Sequence, residues 1–216
     1  MNEITLRGVI AKAVELNHTS HDAKFFRVWL NVARLSGKTD TLRVLVPEEV
    51  MGDLELSEGT AVSVAGQMRT YNNKSGVGGR LIVSMLAREI RLEEGEDVNS
   101  VFLSGTLCRA PGYRKTPLGR EICDIMLAVP RPYGRADYLP LIAWGSAARA
   151  VSMMEAGQSL FAAGRFQSRG YTKATENGPV DMTAYEISVV RIFDGEEELS
   201  EAAACAGGVE NAEENT

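Results

Sequence analysis

Apolar side chains alternate with other residues along several short segments of the chain. Residues 28–33 place valine or leucine at every second position, and residues 41–46 follow a similar rule. A period of two is typical of a strand with one face in a core. Gly66 and Gly164 lie inside two further runs of this kind, and glycine within a strand often marks the bend that barrel closure requires. The pattern therefore predicts a bent, all-β structure.

The alternation stops between the third and fourth predicted strands of each half. Residues 146–155 are rich in helix-forming alanine and methionine, and Gly157 follows as a helix stop. Residues 47–56 occupy the corresponding place in the first half. Three strands, a short helix and two strands form the layout of an OB-fold, a five-stranded barrel.

An internal repeat divides the chain. Residues 6–13 match residues 103–110 at an offset of 97, and residues 24–48 lie over residues 121–145 at the same offset without a gap. Each copy is about 95 residues long, and the units of solenoid proteins are about 20–50 residues long, so the copies are too long to be solenoid units. We predict two tandem five-stranded OB-fold domains and a disordered acidic tail, with the bounds 1–93, 98–193 and 194–216.

Composition limits the class of protein. The 216 residues are 44% hydrophobic and 24% charged, which is typical of a folded globular chain. No apolar run approaches the roughly 18 residues that span a bilayer, and the first residues do not form a signal peptide. The three cysteines and two histidines lack metal-ligand spacing. We expect a cytoplasmic protein with free thiols, no metal, no cofactor and no membrane contact.

The net charge of −6 is unevenly distributed along the chain. From Asp194 onward there are eight acidic residues and no lysine or arginine. Residues 98–193 instead hold 11 basic and 7 acidic residues, together with ten aromatic ones. Cations that neutralise phosphates and rings that stack on bases are what single-stranded nucleic acid requires. A larger hydrophobic core is the alternative explanation for the rings.

Five stretches of the second copy carry a resemblance to a known family. They are LSGTL at 103–107, APGYRKTPLG at 110–119, LAV at 127–129, DYLPLIAWG at 137–145 and GRFQSRGY at 164–171. In this order and spacing they resemble the bacterial single-stranded DNA-binding protein family along most of residues 101–193. The first copy resembles that family much more weakly, mainly at residues 6–8 and 66–70.

The resemblance implies four aromatic positions on which bases stack, and here they are Tyr133, Tyr138, Trp144 and Tyr171. Tyr138 and Trp144 are six residues apart on one extended segment and therefore share a face, although both could instead belong to the core. Tyr133 lies in a Pro-Tyr-Gly loop and Tyr171 at a hairpin tip. Basic residues flank the rings and either track the phosphates or form a solvated face: Arg114, Lys115, Arg131, Arg135, Arg165 and Arg169.

The ring positions have no aromatic counterpart in the first copy. They fall on Ser36, Thr41, Pro47 and Asn73, and residues 1–97 are net acidic. We therefore expect the first domain to pack, orient or dimerise rather than to stack bases. Residual phosphate contacts stay open at four positions, which are Arg69, Tyr71, Lys74 and Arg80.

These observations predict non-catalytic, sequence-independent binding and protection of single-stranded DNA in replication, recombination or repair. No Ser/His/Asp or Cys/His constellation supports catalysis. The resemblance implies four OB domains per assembly, which a homodimer of this chain would supply, at the nucleoid and with replication or repair proteins as possible partners. The tail lacks the apolar tip that recruits partners in that family. Two alternatives remain, a primosomal replication-restart protein and an OB-fold protein-interaction module without significant DNA affinity.

Overall fold

The computed structural model describes residues 1–73, 80–175 and 178–208, without the side chains of residues 173, 175, 207 and 208. The mostly β fold predicted from the alternation is confirmed. The elements of the first copy are β1 (Asn2–Ile10), β2 (Glu15–Ser20), β3 (Ala23–Ala33), β4 (Thr39–Pro47), α1 (Glu48–Met51), β5 (Ala61–Asn72) and β6 (Leu81–Leu92). Those of the second copy are β7 (Val98–Leu107), β8 (Gly112–Lys115), β9 (Glu121–Arg131), β10 (Arg135–Trp144), α2 (Gly145–Ser152), β11 (Ser159–Thr175) and β12 (Gly178–Phe193).

The strands of the first copy pair in a closed cycle, so the last strand of the cycle pairs with the first. β1 is antiparallel to both β3 and β5, and β3 is antiparallel to β4. β4 runs parallel to β6, which is antiparallel to β5. These five strands form a closed ring of pairings, and β2 extends β3 as an antiparallel hairpin.

The second copy repeats the same ring. β7 pairs with β9 and with β11, and β9 pairs with β10 along its whole length. β10 runs parallel to β12, which lies beside β11. Strand β8 extends β9 as a hairpin, just as β2 extends β3. The α2 helix lies between β10 and β11, where the sequence pattern predicts a helix.

The core of each ring is built from the alternating apolar positions. Val28, Leu30 and Val32 are buried on β3, whereas Trp29 and Asn31 between them are only half-buried. Buried apolar residues recur on β9 at an offset of 97, and they are Ile125, Leu127 and Val129. The alternation therefore identifies which face of each strand points inward.

Glycine is required where two strands of a ring approach closely. A Cβ atom on Gly8 would lie 2.2 Å from the carbonyl oxygen of Asn31, and one on Gly105 would lie 2.5 Å from that of Ala128. Gly66 and Gly164 are equally crowded, at 2.1 and 2.3 Å from backbone oxygens of the neighbouring strand. These distances leave no room for a side chain, so the repeated glycines reflect the close approach of strands rather than loop flexibility.

The chain divides into two compact units that do not follow the repeat. The amino-terminal unit contains Glu3–Asn99 together with Phe166–Glu186, the outer part of the β11–β12 hairpin. The carboxy-terminal unit contains Met1–Asn2, Ser100–Arg165 and the residues from Ile187 onward. A segment that belongs to the second copy in sequence therefore packs with the first copy.

Each copy contains one strand more than the expected five. The additional strands, β2 and β8, are short, and every residue of β8 is exposed. Neither strand buries a face, so neither carries the apolar alternation from which the other strands are predicted. Hairpin pairing with β3 or β9 holds each of them in place.

The prediction of a disordered tail over residues 194–216 is wrong for residues 196–208, which form α3 (Glu196–Gly208). Leu199 is fully buried, so the helix has an apolar anchor. Glu196, Glu197 and Glu198 occupy the first turn, where negative charge interacts favourably with the helix dipole. Residues 209–216 lie outside the described residues.

Candidate nucleic-acid interface

Strand β10 presents Tyr138 and Trp144 on its outer face. Tyr138 is 53% exposed and Trp144 38% exposed, while Leu139 and Leu141 between them are buried in the core. Both rings therefore lie on the surface of the carboxy-terminal unit and not in the core, which was the alternative to a binding role. Their shared face follows from the period of two along the strand.

The surface between these two rings is partly apolar. Pro140 shares the face of the rings, and the residues directly opposite Pro140 and Tyr138 on β9 are Met126 and Ala128. Asp124, opposite Ile142, adds a half-exposed carboxylate that pairs with Arg114. Residues paired across neighbouring strands project to the same side of a sheet. We call the exposed apolar part of this surface the stacking face, and it consists of Tyr138, Pro140, Trp144, Met126 and Ala128.

Tyr133 lies in the turn between β9 and β10 and is 99% exposed. Its backbone adopts φ 61° and ψ 35°, the left-handed region. A bulky residue there costs about 1–2 kcal/mol relative to glycine. The turn therefore keeps a strained, solvent-exposed ring beside the strand that carries the stacking face.

The basic residues of the carboxy-terminal unit fall into two groups. Lys115 and Arg135 are exposed and, within the described chain, form no ion pair; Arg165 is half-exposed and likewise forms none. Arg114 donates to both carboxylate oxygens of Asp124, at 2.8 and 3.3 Å. The charges of the first three are therefore more available to an external anion than that of Arg114, which is partly neutralised.

Arg131 has a structural partner. Its Nε and Nη2 donate to the two carboxylate oxygens of Asp137, which is fully buried. An arginine held in a forked pair with a buried carboxylate is not available for a phosphate without leaving that charge uncompensated. Arg131 therefore holds the β9–β10 turn, whereas Arg135, its register partner across the turn, keeps its charge exposed to solvent.

The same ion pair occurs in the first copy, at the same offset of 97. Arg34 donates to Asp40 through Nε at 2.6 Å and Nη2 at 2.5 Å, and Asp40 is 1% exposed. The hydrogen bond to Asp40 raises the pKa of Arg34. The repetition of arginine and aspartate six residues apart was visible in the sequence and would have identified both pairs.

Tyr171 and Arg169 belong to the amino-terminal unit. Tyr171 is 37% exposed, and its hydroxyl donates to the sulfur of Met182 at 3.6 Å. The guanidinium carbon of Arg169 lies 6.0 Å from the centre of the Tyr171 ring, and Arg169 also pairs with Glu186 at 3.3 Å. The ring is therefore held partly exposed on the β11–β12 hairpin.

The positions of the first copy that correspond to the four rings carry small or polar side chains or proline. Thr41 is exposed and donates to Asn31 at 2.7 Å, and Pro47 is buried. Ser36 lies in the turn after β3, and Asn73 donates its backbone N–H to Arg80 at 2.7 Å. No aromatic side chain occupies any of these positions.

The four residual phosphate candidates of the first copy differ in their surroundings. Tyr71 is exposed on β5, and Arg80 is exposed just before β6. Arg69 is bound to Gln67 on its own strand. Lys74 lies outside the described residues.

The amino-terminal unit contains an aromatic and cationic cluster that the sequence did not predict. Lys12 lies 4.6 Å and Arg43 5.1 Å from the centre of the Trp29 ring, and Tyr185 lies 6.5 Å from it. Burial lowers the pKa of Arg43 and raises that of Tyr185. Tyr185 comes from β12, so no local pattern around Trp29 could have indicated this neighbour.

In the part of the chain that the structure describes, no helix is long and apolar enough to cross a membrane. Within the same residues, no group of three or more His, Cys, Asp or Glu side chains could hold a metal ion.

Comparisons with known proteins agree with this geometry. Residues 98–192 match the model of the single-strand binding protein family. The wild-type single-stranded DNA-binding protein from Thermus aquaticus superposes with a TM-score of 0.71 at 24% identity, covering 89% of this chain and 92% of that one. A deletion mutant of that protein gives 0.71 at 23% identity, covering 89% and 93%. The resemblance recognised in the sequence is confirmed.

A third structure matches less completely. The N-terminal domain of PriB from Thermoanaerobacter tencongensis is 33% identical, covers 44% of this chain and 98% of its own, and has a TM-score of 0.39. No curated protein matches the chain.

Proposed function

We propose that this chain, which is similar over residues 98–192 to the single-strand binding protein family, binds single-stranded DNA without sequence preference and without catalysis. The observation that carries the proposal is the stacking face, with the half-exposed rings of Tyr138 and Trp144 on the outer side of β10. An exposed tryptophan and tyrosine on one face of a strand can stack with unpaired bases, which removes the ring faces from water.

Stacking explains both the affinity and the lack of sequence preference. Every base has a π-face, and each base stacked on an aromatic ring contributes about 1–3 kcal/mol. Tyr133 supplies a third ring beside this strand, and Tyr171 supplies a fourth from the β11–β12 hairpin. In the proposed complex all four rings contact bases.

Phosphates bind to the basic residues around the rings. Lys115, Arg135 and Arg165 are the principal ligands because none of them forms a close ion pair within the described residues, although Lys115 lies opposite Glu121 and interacts with it electrostatically. Arg114 contributes by exchanging Asp124 for a phosphate, and Arg169 by exchanging Glu186. Arg131 acts indirectly, because its pair with Asp137 holds the turn on which Tyr133 and Arg135 lie.

The architecture proposed for this function is two tandem OB-fold barrels, over residues 1–93 and 98–193. The closed ring of five paired strands in each copy supports it, since OB-folds are five-stranded barrels with a helix before the fourth strand. Two such barrels per chain would give four in a homodimer. We propose this assembly as the DNA-binding form, acting in the cytoplasm at the nucleoid with replication and repair proteins as partners.

Intrinsic tryptophan fluorescence tests the proposal. The chain has two tryptophans, Trp29 and Trp144, so the variants Trp29→Phe and Trp144→Phe separate their signals. Titration with oligo(dT) should quench Trp144 and not Trp29, strongly at low salt and weakly at high salt. A duplex of equal length should quench neither. Absence of both quenching and a mobility shift would exclude DNA binding and favour an OB-fold that binds proteins.

A further inference from the structure

We propose that Asp40, a residue of the first copy, positions the DNA-binding β11–β12 hairpin of the second copy. This inference rests on the proposed function and assigns a role within it to a copy that lacks the stacking rings. All residues concerned belong to the amino-terminal unit, in which Phe166–Glu186 packs with Glu3–Asn99.

Asp40 binds the backbone of β11 directly. Its Oδ1 atom accepts the backbone N–H of Ser168 at 2.7 Å and the hydroxyl of the same residue at 3.0 Å. Arg34, already paired with Asp40, donates to the carbonyl oxygen of Ser168 at 3.1 Å. A buried ion pair thus holds the N–H, the hydroxyl and the carbonyl of one residue, which fixes the strand at that point in both position and orientation.

A second side chain fixes the same strand two residues earlier. Asn99 accepts the backbone N–H of Phe166 at 2.9 Å and donates to its carbonyl oxygen at 2.7 Å. Asn99 and Asp40 therefore bind alternate residues along one edge of β11. Asn99 lies near the start of β7, the strand antiparallel to β11, so its side chain extends that pairing outward, and Asp40 continues the contacts two residues further along the same edge.

The return strand of the hairpin is also anchored. The Tyr185 ring lies 6.1 Å from the Phe166 ring and 6.5 Å from the Trp29 ring, and Arg43 lies 5.6 Å from Tyr185. Glu186 binds Gln167 at 3.0 Å and Arg169 at 3.3 Å, so it ties the two strands together beside the anchor.

Tyr171 lies three residues after Ser168 on the same strand. Its ring rests on Arg169 and Met182, both within the hairpin. The Tyr171 ring therefore depends for its position on the hairpin, and the hairpin depends on Asp40 at its base. Loss of the Asp40 contacts would let the ring sample other positions and would weaken the base stacking that we propose for it.

A double-mutant cycle tests this role. We would measure the affinity of the full chain for fluorescein-labelled oligo(dT) by anisotropy, for Asp40→Asn and Tyr171→Ala alone and together. Tyr171→Ala should weaken binding about 5- to 160-fold, the equivalent of one stacked base. Asp40→Asn should weaken it several-fold in the wild-type background and not at all when Tyr171 is already alanine.

Asp137→Asn is the matched control, because Asp137 holds the corresponding ion pair of the second copy. Any loss of affinity that it causes should persist in the Tyr171→Ala background. Ser168→Ala is the second test variant, since it removes only the hydroxyl that donates to Asp40 and leaves the ion pair intact. Ser168→Ala should show the same dependence on Tyr171 with a smaller effect.

Additive effects of Asp40→Asn and Tyr171→Ala would overturn the positioning role while leaving DNA binding intact. So would an unchanged affinity in both Asp40→Asn and Ser168→Ala. A wild-type chain that does not bind oligo(dT) would overturn the proposed function and this inference together. Amide hydrogen exchange gives an independent measurement, in which Asp40→Asn should accelerate exchange at Ser168 and Asp137→Asn should not.

Discussion

The guanidinium of Arg131 forms a forked ion pair with the fully buried carboxylate of Asp137, across the turn that carries Tyr133. Arg131, which the sequence suggests as a phosphate ligand, therefore stabilises the fold by compensating a buried charge. The distinction matters because the two roles predict opposite consequences for substitution, one on stability and one on DNA affinity.

Arg131→Met should destabilise the fold strongly. It leaves the Asp137 carboxylate buried without its cation, and breaking a buried pair in this way costs about 3–5 kcal/mol. Arg135→Met is the matched control, since Arg135 is exposed and its loss should change the free energy of unfolding by less than about 0.5 kcal/mol. Urea unfolding of both variants measures the difference, and equal stabilities would contradict the structural role of Arg131.

Tyr133 should lower the stability of the fold and raise its affinity for single-stranded DNA. Tyr133→Gly relieves the left-handed backbone and should stabilise the fold by about 0.5–1 kcal/mol, after the entropy that glycine gains in the unfolded chain. The same change should weaken oligo(dT) binding by about 1–3 kcal/mol because it removes a stacking ring. Tyr133→Phe retains both the ring and the strain and should resemble wild type in thermal melts and titrations. A Tyr133→Gly variant that binds normally would remove Tyr133 from the site.

Lys115 and Arg135 should determine the salt dependence of binding. Each phosphate contact to a single strand contributes about 0.7 to the slope of log K against log salt concentration. Lys115→Ala and Arg135→Ala should each reduce the slope by about that amount. Arg88→Ala, an exposed arginine of the first copy, should leave it unchanged. Equal reductions in all three variants would show that general charge, and not a defined groove, drives binding.

Gly105 should tolerate no side chain. The Cβ atom of Gly105→Ala would lie 2.5 Å from the backbone oxygen of Ala128, so β7 and β9 would have to separate. We expect a loss of about 1–3 kcal/mol, in the range of overpacked sites. Gly170→Ala is the control, because a Cβ there meets nothing within 4 Å. Comparable melting temperatures for the two variants would mean that ring closure does not depend on the glycine.

Glu93 should contribute to stability only above acidic pH. The hydrogen bond from Arg91, with a further one from Arg7, holds the pKa of Glu93 below its ordinary value. The folded state thus binds fewer protons than the unfolded one, so the contribution is complete above about pH 4.3, the usual glutamate pKa, and is lost as pH falls through the lower folded value. Urea titrations from pH 7 to 3 should show a shallower acid loss for Glu93→Gln than for wild type. Glu94→Gln, an equal change of charge at an exposed neighbour, should keep the wild-type profile.

The alternation of apolar residues was sufficient to predict the five-stranded layout of each copy and the inward faces of its strands, but not β2 and β8, which bury no face. Tyr138 and Trp144 lie on the outer face of β10 because residues six apart on a strand must share a side. The crowded positions of Gly8 and Gly105 were likewise visible in the repeat, since both copies keep glycine there. These features depend on backbone geometry that each segment carries with it.

The remaining features were decided by contacts between residues far apart in the chain. Helix α3 forms in an acidic, alanine-rich segment because Leu199 finds a buried position, which composition does not reveal. Asp40 and Ser168 are 128 residues apart and meet only because the β11–β12 hairpin packs with the first copy. Periodicity tells which side of a strand is buried, whereas the partner of a charged side chain depends on which distant strand the fold brings beside it.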